Sequence, residues 1–213
     1  MRSGFEHPTV VRLTHWFATL AIAILVASGL EIFAAFPSFG DKVGGDEFFT
    51  PPDALRLGGW LGGALQWHLT FAWLFLASGA AYIAYQAMSG NHRQVLFNRR
   101  DIPGVWPMVR HYFFFGPKPL IESTYNPLQK LAYTTALALG AVVAVTGLVL
   151  YKPVQLSWLV HALGGFRLVR VWHFSAMVGL LAFIPGHLLM VALHGWNNFE
   201  SMWTGWSGPD IGH

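Results

Sequence analysis

The chain has no cysteine at all. That removes disulfides, iron-sulfur ligation and thiol chemistry together, and leaves the redox compartment unreadable from cysteine usage. Charge is also scarce. Only 11% of the 213 residues are Asp, Glu, Lys or Arg, against roughly 25% in ordinary soluble domains. The formal net charge of +3 is spread thinly, which excludes a nucleic-acid-binding surface, and so low a charge argues against a disordered chain or a soluble enzyme domain. No internal repeat and no low-complexity tract is visible, so residues 1–213 read as one unit. What the chain has in quantity is apolar sequence, 54% of the residues, with ten His, ten Trp and seventeen Phe.

The apolar residues gather into four long runs, at about 13–33, 60–88, 128–150 and 171–193. Each supplies the roughly 20 residues that cross about 30 Å of hydrocarbon. They are apolar on every face, and a chain of this size has no soluble core large enough to hide them. The expected fold is therefore an all-α membrane protein, a bundle of four transmembrane helices. The first run is too long for a signal-peptide h-region and is followed by no small-x-small cleavage pattern, so it reads as a retained helix. Arg2, Arg12, Arg93, Arg99, Arg100, Arg110, Lys118 and Lys130 fall on one side of the bundle, and Lys42, Arg56, Lys152, Arg167 and Arg170 on the other. The other side also carries Glu31, Asp41, Asp46, Glu47 and Asp53. Basic residues favour the cytoplasm. Both termini and the loop 89–126 are thus expected inside, and the loop 34–59 outside, in a bacterial cytoplasmic membrane. Residues 154–166 are apolar but too short to span, which suggests an interfacial helix before the fourth span.

Histidine within a membrane span is costly and marks function. His15 opens the first run, His68 lies early in the second, and His173 and His187 lie fourteen residues apart in the fourth. Fourteen residues rise about 21 Å and nearly complete four turns, so these two share a face. Since neighbouring spans alternate in direction, His15 falls at the depth of His187 and His68 at the depth of His173. Two imidazole pairs, one near each membrane face, are what two bis-histidine b haems require. A zinc site would need three or four ligands at one depth. Gly29, Gly140, Gly147 and Gly179 could admit a flat macrocycle or serve plain helix packing. His7, His92, His111 and His213 read as solvated. His161 reads as interfacial, and His194 is the rival of His187 for the inner pair.

Arg12, His15 and Trp16 in the first span, His68 in the second, and His173 with His187 in the fourth resemble the prokaryotic cytochrome b561-like superfamily. The chain is similar to the di-haem cytochrome b subunits of thiosulfate reductase, nickel-iron hydrogenase and formate dehydrogenase. The stretch from Tyr125 to Tyr133 looks most like the thiosulfate-reductase branch. The resemblance implies a cytoplasmic-side haem held by His15 and His187 and a periplasmic-side haem held by His68 and His173. It further implies electron transfer between membrane quinone and a periplasmic partner. That partner would be a molybdopterin- or iron-sulfur-containing catalytic subunit, or a carrier such as a cytochrome c. Arg12, Tyr125, Asn126, Gln129 and Lys130, polar groups at the inner interface, are the candidate quinone contacts. The alternatives are a stand-alone cytochrome b561-type quinone or superoxide oxidoreductase, and a haem-free membrane anchor.

Overall fold

The structure is a computed structural model and describes residues 7–40, 47–114, 116–117, 119, 125–193 and 196–206. Eight α-helices and no strand occur among the described residues. Four are long: α1 (Thr9–Ala35), α2 (Leu61–Ser89), α5 (Pro127–Tyr151) and α7 (Phe166–Leu193). All four are long and apolar enough to cross a membrane. Between α2 and α5 lie the short α3 (His92–Val95) and α4 (Ile102–Phe114). The expected short helix before the fourth span is α6 (Ser157–Ala162), and a further helix, α8 (Trp196–Thr204), follows the last span. Arg2, Asp41, Lys42, Asp46, Lys118, His194 and His213 lie outside the described residues.

The long helices form two antiparallel pairs, α1 with α2 and α5 with α7, and backbone contact between the pairs is sparse. Small residues make the close approach. Ala21, Ser28, Ala64, Ser78, Thr146 and Ala176 are buried, while Leu13, Leu20, Ile83, Val145 and Leu188 point outward. A soluble bundle reverses this arrangement. In lipid, large apolar groups gain nothing by facing inward and small ones let backbones meet. The His7 N–H donates to the Gly205 carbonyl at 3.5 Å, which ties the first and last described segments together at one end of the bundle. We call this the terminal end and its opposite the far end.

Helix starts and stops have local causes. Asn126 caps α5: its side chain accepts from the Gln129 N–H at 2.9 Å, and the Gln129 side chain accepts from the Asn126 N–H at 3.0 Å. Proline follows as the first helical residue, where its missing N–H costs nothing. Gly90 ends α2 with φ of 73°, a left-handed conformation that favours glycine. The fourth span begins five residues before its expected start at Val171. Arg170 donates to the carbonyls of Phe36 and Ser38 at 3.2 and 3.0 Å. Its charge is satisfied by the end of α1, and the helix runs on through it.

Candidate functional site

At the far end, the His68 and His173 ring centres are 6.3 Å apart. At the terminal end, those of His15 and His187 are 6.1 Å apart. The separation tests the cofactor directly. A metal ion takes imidazole nitrogen at about 2 Å, and the nitrogen lies roughly 1 Å from its ring centre, so two rings on one iron stand roughly 6 Å apart. Both pairs fit that requirement. Among the described residues no three of His, Asp and Glu converge as a zinc site would need.

The far-end rings are oriented by hydroxyls. Ser28 Oγ stands 3.1 Å from His68 Nδ1, and Thr146 Oγ1 stands 3.0 Å from His173 Nδ1. Each hydroxyl has one proton, and its shortest contact is a carbonyl four residues back: Ile24 at 2.7 Å for Ser28, Val142 at 2.5 Å for Thr146. Carbonyls only accept. The hydroxyl proton goes to the carbonyl, so the hydroxyl oxygen accepts from the imidazole N–H, and shares it with the Leu25 carbonyl at His68 and the Val143 carbonyl at His173. Nδ1 carries the ring proton in both histidines, and Nε2 keeps its lone pair for a metal.

Glycine follows each hydroxyl residue. A Cβ on Gly29 would come within 3.3 Å of His68 Cε1, and one on Gly147 within 3.2 Å of His173 Cε1. These glycines admit the ligand rings themselves. Gly140 and Gly179 instead face Phe75 and Leu139 and serve helix packing. Above the far-end pair, the Leu57 N–H donates to the Ala27 carbonyl at 3.1 Å. Arg56 pairs there with Glu31 and Asp53, so part of the loop 34–59 is folded back onto α1 beside Ser28.

The two helix pairs carry this cup at matching register, which sequence comparison alone did not reveal as a repeat. Ser28 is the twentieth residue of α1 and Thr146 the twentieth of α5, while His68 is the eighth of α2 and His173 the eighth of α7. The correspondence continues to the terminal end and changes chemistry there. His15 of α1 and His187 of α7 correspond to Tyr133 of α5 and Tyr82 of α2. Tyr82 Oη accepts from Gln86 Nε2 at 2.9 Å, and the Tyr133 ring packs edge-on to Tyr125 at 5.4 Å. Tyr82 was not singled out in the sequence, and Tyr133 entered only as the end of the Tyr125–Tyr133 stretch, because an aromatic residue in an apolar run carries no signal until its register partner is known.

The terminal-end pair is packed by aromatic rings. The His187 ring stacks on Phe183 at 5.6 Å, and the His15 ring meets Trp16 at 5.2 Å. Trp16 stacks on Trp203 of α8 at 4.2 Å, and its indole N–H donates to the Met202 carbonyl at 3.1 Å. Arg12 donates to the Trp203 carbonyl, and its Nε is buried without a partner. The C-terminal helix α8 thus closes the bundle beneath His15.

The other polar groups expected at this end lie on α5 and its neighbours. Besides capping α5, Asn126 donates to Tyr112 Oη at 3.3 Å. Lys130, only 7% exposed, pairs with Asp101 at 3.0 Å. Burial opposes the Asp101 charge, but the Asn98 N–H and the Lys130 ammonium outweigh it and hold the carboxyl below its usual value. The structure therefore groups Tyr125, Asn126, Gln129 and Lys130 around the start of α5, and places Arg12 with α8. His92 Nδ1 and His111 Nδ1 meet the carbonyls of Gln86 and Gly116 at 3.2 and 2.8 Å, so neither is merely solvated. His161 Nδ1 meets the Ser157 carbonyl within α6 at 2.6 Å.

Comparison with known proteins agrees with this architecture. The profile of the prokaryotic cytochrome b561 family matches residues 6–205. The chain is 38% identical over 190 residues to a putative protein-methionine-sulfoxide reductase subunit, YedZ1, of Azospira oryzae, covering 88% of this chain and 90% of that one. It is 28% identical over 202 residues to a probable Ni/Fe-hydrogenase B-type cytochrome subunit of Azotobacter vinelandii, covering 87% and 78%. Identity to a probable Ni/Fe-hydrogenase 1 B-type cytochrome subunit of Escherichia coli K12 is 23% over 202 residues, covering 87% and 80%. No solved structure matches the chain significantly. With four membrane helices and a matching profile along nearly its whole length, the chain belongs to the prokaryotic cytochrome b561 family, multi-pass membrane proteins of electron transport with b-type haem.

Proposed function

We propose that this protein relays electrons between membrane quinone and a partner oxidoreductase on the outer face, through two bis-histidine b haems. His68 and His173 hold the one at the far end, and His15 and His187 the one at the terminal end. The observation that carries the reading is the spacing of the two imidazole pairs, 6.3 and 6.1 Å between ring centres, with one pair toward each end. A haem with two imidazole ligands supplies one-electron transfer and leaves no open position for oxygen.

The residues divide the remaining tasks. Ser28 and Thr146 hold the far-end rings in one tautomer. Trp16, Phe183 and α8 keep water from the terminal-end rings, as closely packed aromatic surfaces do. The basic residues of the loop 89–126 support a cytoplasmic terminal end. Quinone is placed at that end, among Tyr125, Asn126, Gln129 and Lys130 at the start of α5, with Tyr82 and Tyr133 deepening the polar patch into the span, while Arg12 is held by α8. The partner reading follows the relatives: the higher identity is to the protein-methionine-sulfoxide reductase subunit, so we place an oxidoreductase of that kind, receiving electrons, at the far end. Pyridine haemochrome analysis against protein mass, with reduction by a short-chain quinol, tests the proposal. Two haems per chain, both reduced by quinol, are expected. A single haem at full occupancy, or no response to quinol, contradicts it.

A further inference from the structure

The matched cups at the far end assign a role to two residues that packing alone does not explain. Ser28 is fully buried and Thr146 nearly so. A serine or threonine within a helix ordinarily satisfies its hydroxyl on a carbonyl one turn back, and both do. Ser78 of α2 does the same with the Leu74 carbonyl at 2.8 Å and is also buried, but it meets no histidine. Ser28 and Thr146 differ from Ser78 in placing the oxygen's remaining lone pair against an imidazole Nδ1, at 3.1 and 3.0 Å. The arrangement is built twice at one register, on the matching stretches Ser28-Gly29-Leu30 and Thr146-Gly147-Leu148, with Trp67-His68 and Trp172-His173 facing them. No hydrogen bond of either terminal-end ring is found among the described residues.

We infer that Ser28 and Thr146 are positioning residues of the far-end site. Each accepts the Nδ1 proton of one axial imidazole, fixes its tautomer, and lowers the reduction potential of the haem those rings share. The inference rests on the reading that His68 and His173 ligate one iron. An acceptor at Nδ1 makes the imidazole a stronger donor through Nε2. A stronger donor stabilises ferric over ferrous iron, so the potential falls. Because both axial rings are held alike, the two effects act on one iron and in one direction.

The test uses the purified haem-loaded protein and the variants Ser28→Ala, Thr146→Val and their combination. Val keeps the shape of Thr and removes only the hydroxyl. Thr146→Ser and Ser78→Ala are the controls: the first keeps the acceptor, the second removes a buried hydroxyl that no histidine uses. Potentiometric titration of the α band and the ferric low-spin EPR signals are read for each. The expected result is an upward shift of one haem's potential in each single variant. The shift falls on the same haem, is larger in the combination, and is accompanied by a changed ferric signal. The other haem, Thr146→Ser and Ser78→Ala stay at wild-type values. The inference is overturned if Ser28→Ala and Thr146→Val keep their haem with unchanged potentials and ferric signals, if they shift different haems, or if Ser78→Ala shifts as much. Should Ser28→Ala not fold, Thr146→Val with its Ser control decides alone. His68→Ala separates the two levels. Loss of one haem in that variant with unshifted hydroxyl variants removes only the present inference, whereas retention of both haems removes the ligation reading beneath it.

Discussion

The far-end and terminal-end histidine pairs have nearly the same ring separation, 6.3 and 6.1 Å, and quite different surroundings. The far-end rings are held by hydrogen bonds from α1 and α5, with a glycine beside each ring. The terminal-end rings are held by stacking and edge contacts with Phe183 and Trp16, backed by α8. Hydrogen bonds fix the protonation of a ligand, whereas aromatic packing fixes its position and leaves the ring electronically free. The far end also keeps the register correspondence between the helix pairs, while the terminal end breaks it, with Tyr133 and Tyr82 opposite His15 and His187. In the proposed relay, the symmetric site is the electron exit and the asymmetric site the entrance.

The largest effect that sharpens this comparison comes from the terminal-end ligands. His15→Ala or His187→Ala should halve the haem-to-protein ratio and abolish reduction of the surviving haem by quinol, measured by pyridine haemochrome and rapid-mixing spectroscopy. Survival of quinol reduction in both variants would move the entrance to the far end.

The Lys130–Asp101 pair should matter for folding of the terminal end. Asp101→Asn leaves a buried ammonium without its charge partner and should cost about 1–3 kcal/mol, seen as a lower thermal midpoint in detergent. The sign of its pH dependence is fixed. The Asp101 carboxyl is held below its usual value, so the contribution is full above the ordinary Asp range and is lost as pH falls through the lowered value. The gap between wild type and Asp101→Asn should therefore close on acidification, and a gap that widened there would contradict the pairing.

Gly205 tests the closure by α8. Its φ is 86°, and a Cβ there would come within 2.9 Å of Arg12 Nη1. Gly205→Ala should cost about 1–2 kcal/mol of local strain and alter the spectrum of the terminal-end haem alone. The smallest effect is expected from Gly29→Ala and Gly147→Ala. Each added methyl would need its ligand ring to yield by a few tenths of an ångström, about 1 kcal/mol as for mild overpacking. The ferric EPR signal of one and the same haem should change in both variants, and changes in different haems would break the equivalence of the two cups.

Much of this was legible in the sequence because membrane spans and intramembrane histidines obey simple rules. The spans at 13–33, 60–88 and 128–150 were located to within a few residues at either end, since hydrocarbon thickness sets their length. The pairing of His15 with His187 and of His68 with His173 follows from rise per residue and alternating direction, and the rings do meet. Gly29 was read as room for a flat macrocycle or as helix packing, and its close contact is with the His68 ring. The Ser28 and Thr146 cups were not legible. A serine and a threonine in apolar runs look like packing residues, and the shared triplets Ser28-Gly29-Leu30 and Thr146-Gly147-Leu148 gain meaning only when the helix starts put them at one register. The α8 helix was missed although Trp196, Phe199 and Trp203 recur at helical spacing, because a nine-residue amphipathic stretch is short beside the four spans. The fourth span starts five residues before the expected Val171, since the Arg170 charge is satisfied by the carbonyls of Phe36 and Ser38 at the end of α1.

The central claim is that His68 and His173 share one iron at the far end. Purified His68→Ala and His173→Ala should each be titrated potentiometrically, with haem content measured on the same samples. The account predicts that both variants keep one haem of the same potential and ferric spectrum, the one held by His15 and His187. Surviving haems that differ in potential and spectrum, in two variants that both remain folded, would show that the two histidines do not ligate the same iron.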